Sequence, residues 1–113
     1  MDDTFGFIDD YQGVMERLGG NTALLRKLLV KFRDSYRDTR VELAHMIREG
    51  RYEEAHRLVH TIKGVSGNLG IGTVYHTAVI LDGHLKAGEF LTVEAETNEF
   101  LDSLESVFNV LVP

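Results

Sequence analysis

The chain has 113 residues, of which 43% are hydrophobic and 27% charged, as is typical of one folded domain. Its formal net charge of −6 argues against nucleic acid or an anionic membrane as a partner, because both are bound through basic patches. There is no cysteine and no apolar run near the roughly 18 residues that span a bilayer, so we expect no disulfide, no membrane span and a cytoplasmic location.

Apolar residues recur at helical spacing along the whole chain and predict one short helix followed by four longer ones. The predicted helices cover about 8–18, 21–49, 51–69, 73–87 and 92–111. The second is predicted as one unbroken helix, because no glycine or proline interrupts it before Gly50. No alternating strand pattern competes with this assignment. We therefore predict a single all-α domain over residues 1–113, an antiparallel up-and-down four-helix bundle with a short additional N-terminal helix.

The helix predicted at 51–69 has an unusual polar face. Its apolar stripe contains Ala55, Leu58, Val59, Ile62, Val65, Ser66 and Leu69. At about 100° per residue, His60 points away from that stripe, with His56 one turn before it and Lys63, Gly64 and Gly67 one and two turns after it. Glycine in a helix interior costs about 1 kcal/mol relative to alanine, so two glycines here indicate a bare patch that another molecule's backbone could approach. An exposed imidazole beside a mobile cation suits a phosphoryl acceptor that works across an interface.

Residues 60–70 read His-Thr-Ile-Lys-Gly-Val-Ser-Gly-Asn-Leu-Gly. This stretch resembles the signature of histidine-containing phosphotransfer (HPt) domains, roughly His-x-Leu-Lys-Gly-x-Ser/Ala-x-x-Leu-Gly-Ala. The departures are Val59, Ile62 and Ile71, each an apolar residue in place of another apolar residue. The upstream stretch Leu-Gly-Gly-Asn-Thr-Ala-Leu-Leu at 18–25 and the length of the chain are also similar to the family. The resemblance thus extends over nearly the entire sequence.

The resemblance implies a carrier in a phosphorelay of two-component signalling. His60 would accept a phosphoryl group on Nε2 from a receiver-domain aspartate and pass it to another receiver domain. Lys63 would offset the added negative charge, and Gly64 would allow the partner to come close. The surrounding surface, with His56, Arg57 and Gly67, is expected to dock the partner.

The same resemblance names the partners and separates this chain from enzymes. The partners would be response-regulator receiver domains and a hybrid sensor histidine kinase, and the receiver would bring the Mg²⁺. No P-loop or kinase signature is present, so we expect a phosphocarrier without its own ATP site. We expect no cofactor or metal on this chain, and a monomer, because no second apolar stripe is left exposed.

Two other functions compete with this interpretation. A helical adaptor could bind signalling partners without carrying phosphate, although degenerate phosphotransfer folds usually lack the histidine. A metal-binding four-helix bundle is the second, since Glu42-x-x-His45 and Glu53-x-x-His56 match the Glu-x-x-His ligand pair of di-iron bundles. Both histidines lie off the apolar stripes, and the last two helices offer no matching core glutamates, which disfavours a metal in the core.

Overall fold

The computed structural model describes residues 5–111, and this range contains six helices and no strand longer than an isolated bridge. The helices are α1 Tyr11–Arg17, α2 Thr22–Tyr36, α3 Thr39–Arg48, α4 Tyr52–Asn68, α5 Gly72–Ala87 and α6 Val93–Val110. None of the helices described is long and apolar enough to cross a membrane. The last three begin and end within one residue of their predicted limits.

The single long helix predicted over 21–49 is wrong, because the structure divides it into α2 and α3. The break falls at Asp38, whose ψ of 9° lies outside the helical range and whose side chain makes no capping hydrogen bond. Asp38 and Thr39 both have low helix propensity, which explains why the helix gives way here. Phe32, Thr39 and Leu43 are all buried, so the core-facing stripe continues through the joint. Periodicity alone therefore does not reveal the break.

The N-terminal helix begins three residues later than its predicted start at residue 8. Residues 5–10, which precede this helix, form a segment that we call the strap. Within it, Ile8 pairs with Ile71 in an isolated antiparallel bridge. The Asp9 N–H donates to the Gly70 carbonyl at 2.7 Å. Asp10 then adopts a left-handed conformation, with φ 51°, and its side chain caps α1. The strap fastens the start of the chain to the loop between α4 and α5.

The turn between α3 and α4 is a tight glycine-capped hairpin. Gly50 adopts φ 72°, and the Arg51 N–H donates to the Met46 carbonyl at 2.8 Å, as in a Schellman cap. This connection places α4 directly beside α3.

The core that positions α4 contains buried side chains from α2 as well as from α3, α4, α5 and α6. Helix α4 packs against α3 and α5, and α6 packs against α5 and α3. The largest side chains fully buried between the helices are Phe100, Leu25, Leu29, Leu43, Ile62, Ile71, Leu81, Leu101 and Leu104. Since α4 buries Ala55, Val59, Ile62 and Ser66, its opposite face is directed outward.

Candidate functional site

His60 lies on the outward face of α4, where the spacing of the apolar residues predicts it. Its neighbours Val59 and Ile62 are completely buried, whereas 62% of the His60 side chain is exposed. The imidazole is therefore accessible to another molecule.

Asp82 of α5 contacts three side chains of α4 and was missed in the sequence. Its Oδ1 lies 2.9 Å from His56 Nε2 and 3.3 Å from His60 Nδ1, and its Oδ2 accepts a hydrogen bond from Lys63 Nζ at 2.9 Å. The His60 contact has hydrogen-bond geometry, while the closer His56 contact is not aligned as a hydrogen bond. We therefore treat the His56 contact as an electrostatic one. Only 7% of the Asp82 side chain is exposed, so these protein groups, and not bulk water, surround its carboxylate.

The charge on Asp82 is stabilised by α4. Burial raises the pKa of the Asp82 carboxyl and is the largest single effect, and the hydrogen bond and positive charge of Lys63 oppose it. His56 and His60 add to the lowering, and the net pKa lies below the usual value. Asp82 is thus an anion at neutral pH, so its Oδ1 can only accept a hydrogen bond, and His60 Nδ1–H is the donor. This arrangement leaves Nε2 as the ring nitrogen that does not contact Asp82.

Lys63 is held more firmly than the sequence suggests. It was expected to be a mobile cation, but its ammonium group is bound to Asp82 and 27% of its side chain is exposed. Its charge already neutralises a carboxylate before any ligand arrives.

The two glycines on this face of α4 differ in their surroundings. A Cβ built on Gly64 would meet no atom within 4 Å, in agreement with an open patch beside His60. A Cβ on Gly67 would lie 3.0 Å from Cε1 of Tyr75, so a ring from α5 borders this glycine on one side. Gly67 is itself exposed, but unlike Gly64 it has no room for a larger side chain unless the Tyr75 ring moves. Arg57 is also exposed. At roughly 100° of rotation per residue, it lies on the same side of His60 as Gly64.

A groove opens beside Lys63 and Gly64. Its volume is about 550 Å³, and it extends between α4, the start of α5 and the strap before α1. Arg17 lines it and donates to the Asn68 carbonyl at 2.7 Å, while Tyr75 forms part of its other side. The groove leaves open space beside Lys63 and Gly64, and His60 is not among the residues that line it.

The two Glu-x-x-His pairs do not form a core metal site. Glu42 and His45 are both exposed, and His45 Nε2 lies 3.0 Å from Glu49 Oε1. Glu53 is exposed as well, and the imidazole of His56 faces Asp82. The interpretation of these pairs as di-iron ligands is therefore not supported.

The sequence does contain a signal that could have identified Asp82. This residue lies four positions after Ala78 and three before Leu85, at the edge of the buried stripe of α5. A carboxylate at such a position requires a charged or hydrogen-bonded partner, because burial of an unpaired charge is costly.

Comparison with known proteins gives one match. A family model described as "Hpt domain" matches residues 27–109, a range that covers most of the chain and includes both His60 and Asp82. Neither the curated proteins nor the solved structures include a match.

Proposed function

The chain belongs to the Hpt domain family, whose members are phosphocarriers of phosphorelay signalling, and from this membership we propose that His60 is the phosphorylated residue. In this proposal it accepts a phosphoryl group from the aspartate of one receiver domain and transfers it to another. The observation that carries the proposal is the exposed imidazole of His60, which Asp82 contacts through Nδ1 only.

The transfer step uses the lone pair of His60 Nε2. This pair attacks the phosphorus of the partner's aspartyl phosphate in line, and the N–P bond forms as the bond from phosphorus to the aspartate oxygen breaks. The aspartate leaves as a carboxylate with the bonding pair, and no proton needs to move. The imidazole retains its Nδ1 proton and becomes cationic, and Asp82 stabilises that charge.

Lys63 and Gly64 help the site to accept the phosphoryl group and the receiver domain that delivers it. A phosphoryl group carries about −1.5 to −2 charges at neutral pH by analogy with phosphoserine. Lys63 Nζ, which pairs with Asp82 in the free protein, lies one turn from His60 and can turn toward the phosphoryl oxygens. Gly64 leaves space for the receiver, which brings the Mg²⁺ that neutralises the phosphate during transfer.

The docking surface combines two helices. On α4 it includes Gly64 and Arg57, and on α5 it includes Tyr75 and Val79, which are apolar and partly exposed at 38% and 40%. An apolar patch beside a reactive side chain is typical of protein contacts. We propose that this surface binds receiver domains and a hybrid sensor kinase in turn, with the chain acting as a monomer in the cytoplasm.

We also propose that α3, α4, α5 and α6 form the antiparallel up-and-down bundle. Each of the four borders two of the others, and the short loops at Gly50 and Gly88 favour antiparallel neighbours.

Phosphotransfer from a labelled receiver domain tests the function and the residue together. A receiver carrying labelled aspartyl phosphate is mixed with the wild type, His60→Gln and the matched control His45→Gln, which changes an exposed histidine on α3. We expect acid-labile label on the wild type and on the control, and none on His60→Gln. Because His60 is mostly exposed and Asp82 keeps its bond to Lys63, the substitution should change stability by no more than about 1 kcal/mol, the contribution of one hydrogen bond.

Two results would contradict the proposal. Label on His60→Gln would assign the phosphate to another residue. Failure of the folded wild type to accept phosphate from any of several receivers would leave an adaptor that binds partners without carrying phosphate.

A further inference from the structure

We propose that His56, His60 and Asp82 bind a divalent transition-metal ion of the Zn²⁺ type, and that the bound ion blocks phosphorylation of His60. The blocking effect rests on the proposed function, whereas the metal site rests on geometry alone. Within residues 5–111, these three side chains are the group whose ligand atoms converge, all lying within 4.8 Å of one another.

The distances suit a tetrahedral ion. With metal–ligand bonds of about 2.0–2.2 Å, two ligand atoms of a tetrahedral zinc site lie about 3.3–3.5 Å apart. Asp82 Oδ1 lies 2.9 Å from His56 Nε2 and 3.3 Å from His60 Nδ1. The two imidazole nitrogens lie within 4.8 Å of each other. An ion could therefore enter if the carboxylate oxygen moved by a few tenths of an ångström and the two imidazoles rotated toward the ion.

The hydrogen bonding of His56 is incomplete without such a ligand. Its Nε2 atom is buried and has no aligned hydrogen-bond partner, although it lies close to Asp82 Oδ1. Two imidazole nitrogens thus approach the same carboxylate oxygen, and only that of His60 is well placed to share a proton with it. A metal ion between the three atoms would satisfy both nitrogens and the oxygen at once.

The donor atoms also indicate which ions fit. Two neutral imidazoles and one carboxylate favour zinc and other first-row transition ions, while Mg²⁺ prefers oxygen ligands and several waters. The histidines lie at i and i+4 on one helix face, a spacing that zinc sites use. Asp82 Oδ2 remains bound to Lys63, which orients the carboxylate from outside the site. Because His60 is exposed, the fourth position of the ion would open to solvent.

Metal binding changes the tautomer of His60. In the free protein the anionic Asp82 Oδ1 favours the tautomer with the proton on Nδ1, so the Nε2 lone pair is available for attack. Coordination uses the Nδ1 lone pair, so the neutral imidazole must carry its proton on Nε2. Nε2 then has no lone pair for phosphorus, and the ion prevents the transfer step without covering the docking surface.

Zinc titration by calorimetry tests the site without any phosphate chemistry. The wild type should bind one zinc ion per chain, and His56→Asn should bind it at least about tenfold more weakly, since even supporting residues of metal sites contribute that much. His45→Asn, the matched control on α3, should bind like the wild type. Equal affinity of His56→Asn and the wild type, or no saturable binding at all, would overturn the site.

The effect of zinc is measured, for each protein, as the ratio of the phosphorylation rate with zinc to the rate without zinc, in the presence of Mg²⁺. We expect zinc to slow phosphorylation of the wild type at least tenfold. At the same zinc concentration, we expect this ratio to stay near one for His56→Asn. The same donor is used for both, so an effect of zinc on the receiver would appear in both proteins. Equal slowing would refute the blocking effect, even if the calorimetry supports the site. Failure of the wild type to accept phosphate in the absence of zinc would instead count against the proposed function.

Discussion

Replacement of Asp82 by asparagine should slow phosphorylation of His60 and destabilise the fold. The substitution keeps the size of the side chain and removes the charge that lies 3.3 Å from His60 Nδ1. In the proposed transfer step the imidazole becomes cationic, so the carboxylate stabilises the transition state more than the ground state.

The geometry sets the size of the effect. Two unit charges about 4 Å apart interact by about 1 kcal/mol in water and about 4 kcal/mol at an effective dielectric constant of about 20. With 62% of the His60 side chain exposed, the interaction lies toward the lower value, and about 1.5–2 kcal/mol is reasonable. This corresponds to a rate about 10- to 30-fold lower than that of the wild type.

Stability should also fall, because Lys63 loses its counterion. Lys63 is partly exposed and can turn toward water, so we expect a loss of about 1–2 kcal/mol rather than the larger cost of a fully buried unpaired charge. The Asp82 carboxyl has a lowered pKa, so its contribution is complete above the ordinary pKa of an aspartate and is lost as the pH falls through the lowered value. The stability difference between the wild type and Asp82→Asn should therefore shrink in acid.

Two measurements check this reasoning. Rapid-mix phosphotransfer from a labelled receiver domain gives the rate, and urea unfolding at several pH values gives the free energy of unfolding. Transfer at the wild-type rate by a folded Asp82→Asn protein would refute the role of the carboxylate in the transfer step. A stability difference that stays constant down to pH 3, about one unit below the ordinary aspartate pKa, would refute the assignment of its charge.

The remaining predictions concern the glycines of α4 and a histidine of α5. Gly64→Leu should slow transfer at least about tenfold, and transfer at the wild-type rate would count against docking at Gly64. Its stability should be equal to that of the wild type or higher by up to about 1 kcal/mol, because the new side chain meets open space on a helix. Gly67→Leu must displace the Tyr75 ring and should be less stable than Gly64→Leu by at least about 1 kcal/mol in urea unfolding, and equal stability would contradict the packing. The hydrogen bond that His84 Nδ1 donates to Glu96 raises the pKa of His84, against the opposing effect of burial. His84 therefore stabilises the fold fully below about pH 6.5 and loses this contribution as the pH rises through the raised pKa. The stability advantage of the wild type over His84→Gln should shrink over that range, and a constant difference would refute the assignment.

Much of the helical arrangement could be predicted because it follows from a local repeat. The apolar stripes of α4, α5 and α6 each lie on one helix, so their periodicity and the flanking glycines set the limits to within one residue. The joint at Asp38 could not be predicted in this way. The stripe continues across it from Phe32 to Leu43, and the break depends on a small difference in backbone preference.

The candidate site was predicted only in the part that one helix determines. His60, Lys63 and Gly64 share a face of α4, and their exposure follows from the buried residues on the other side. The ring of Tyr75 on α5 lies against one side of Gly67, so the space around Gly67 depends on packing between helices and was not visible in the spacing of α4. Asp82 was missed for the same reason, since 22 residues separate it from His60.

The position of Asp82 suggests how the site accommodates a change of charge. In the free protein the carboxylate is neutralised by Lys63, whose Nζ lies 2.9 Å from Oδ2. In the proposed phosphorylated form Lys63 would turn toward the phosphoryl oxygens, and the cationic imidazole of His60 would take its place beside Oδ1. The buried carboxylate would thus have a cationic partner before and after transfer, so the step need not leave a charge unpaired in a poorly solvated position. On this reasoning, replacement of Lys63 by a neutral residue would lower the free energy of unfolding of the free protein more than that of the phosphorylated protein. Only the free protein relies on Lys63 to neutralise Asp82.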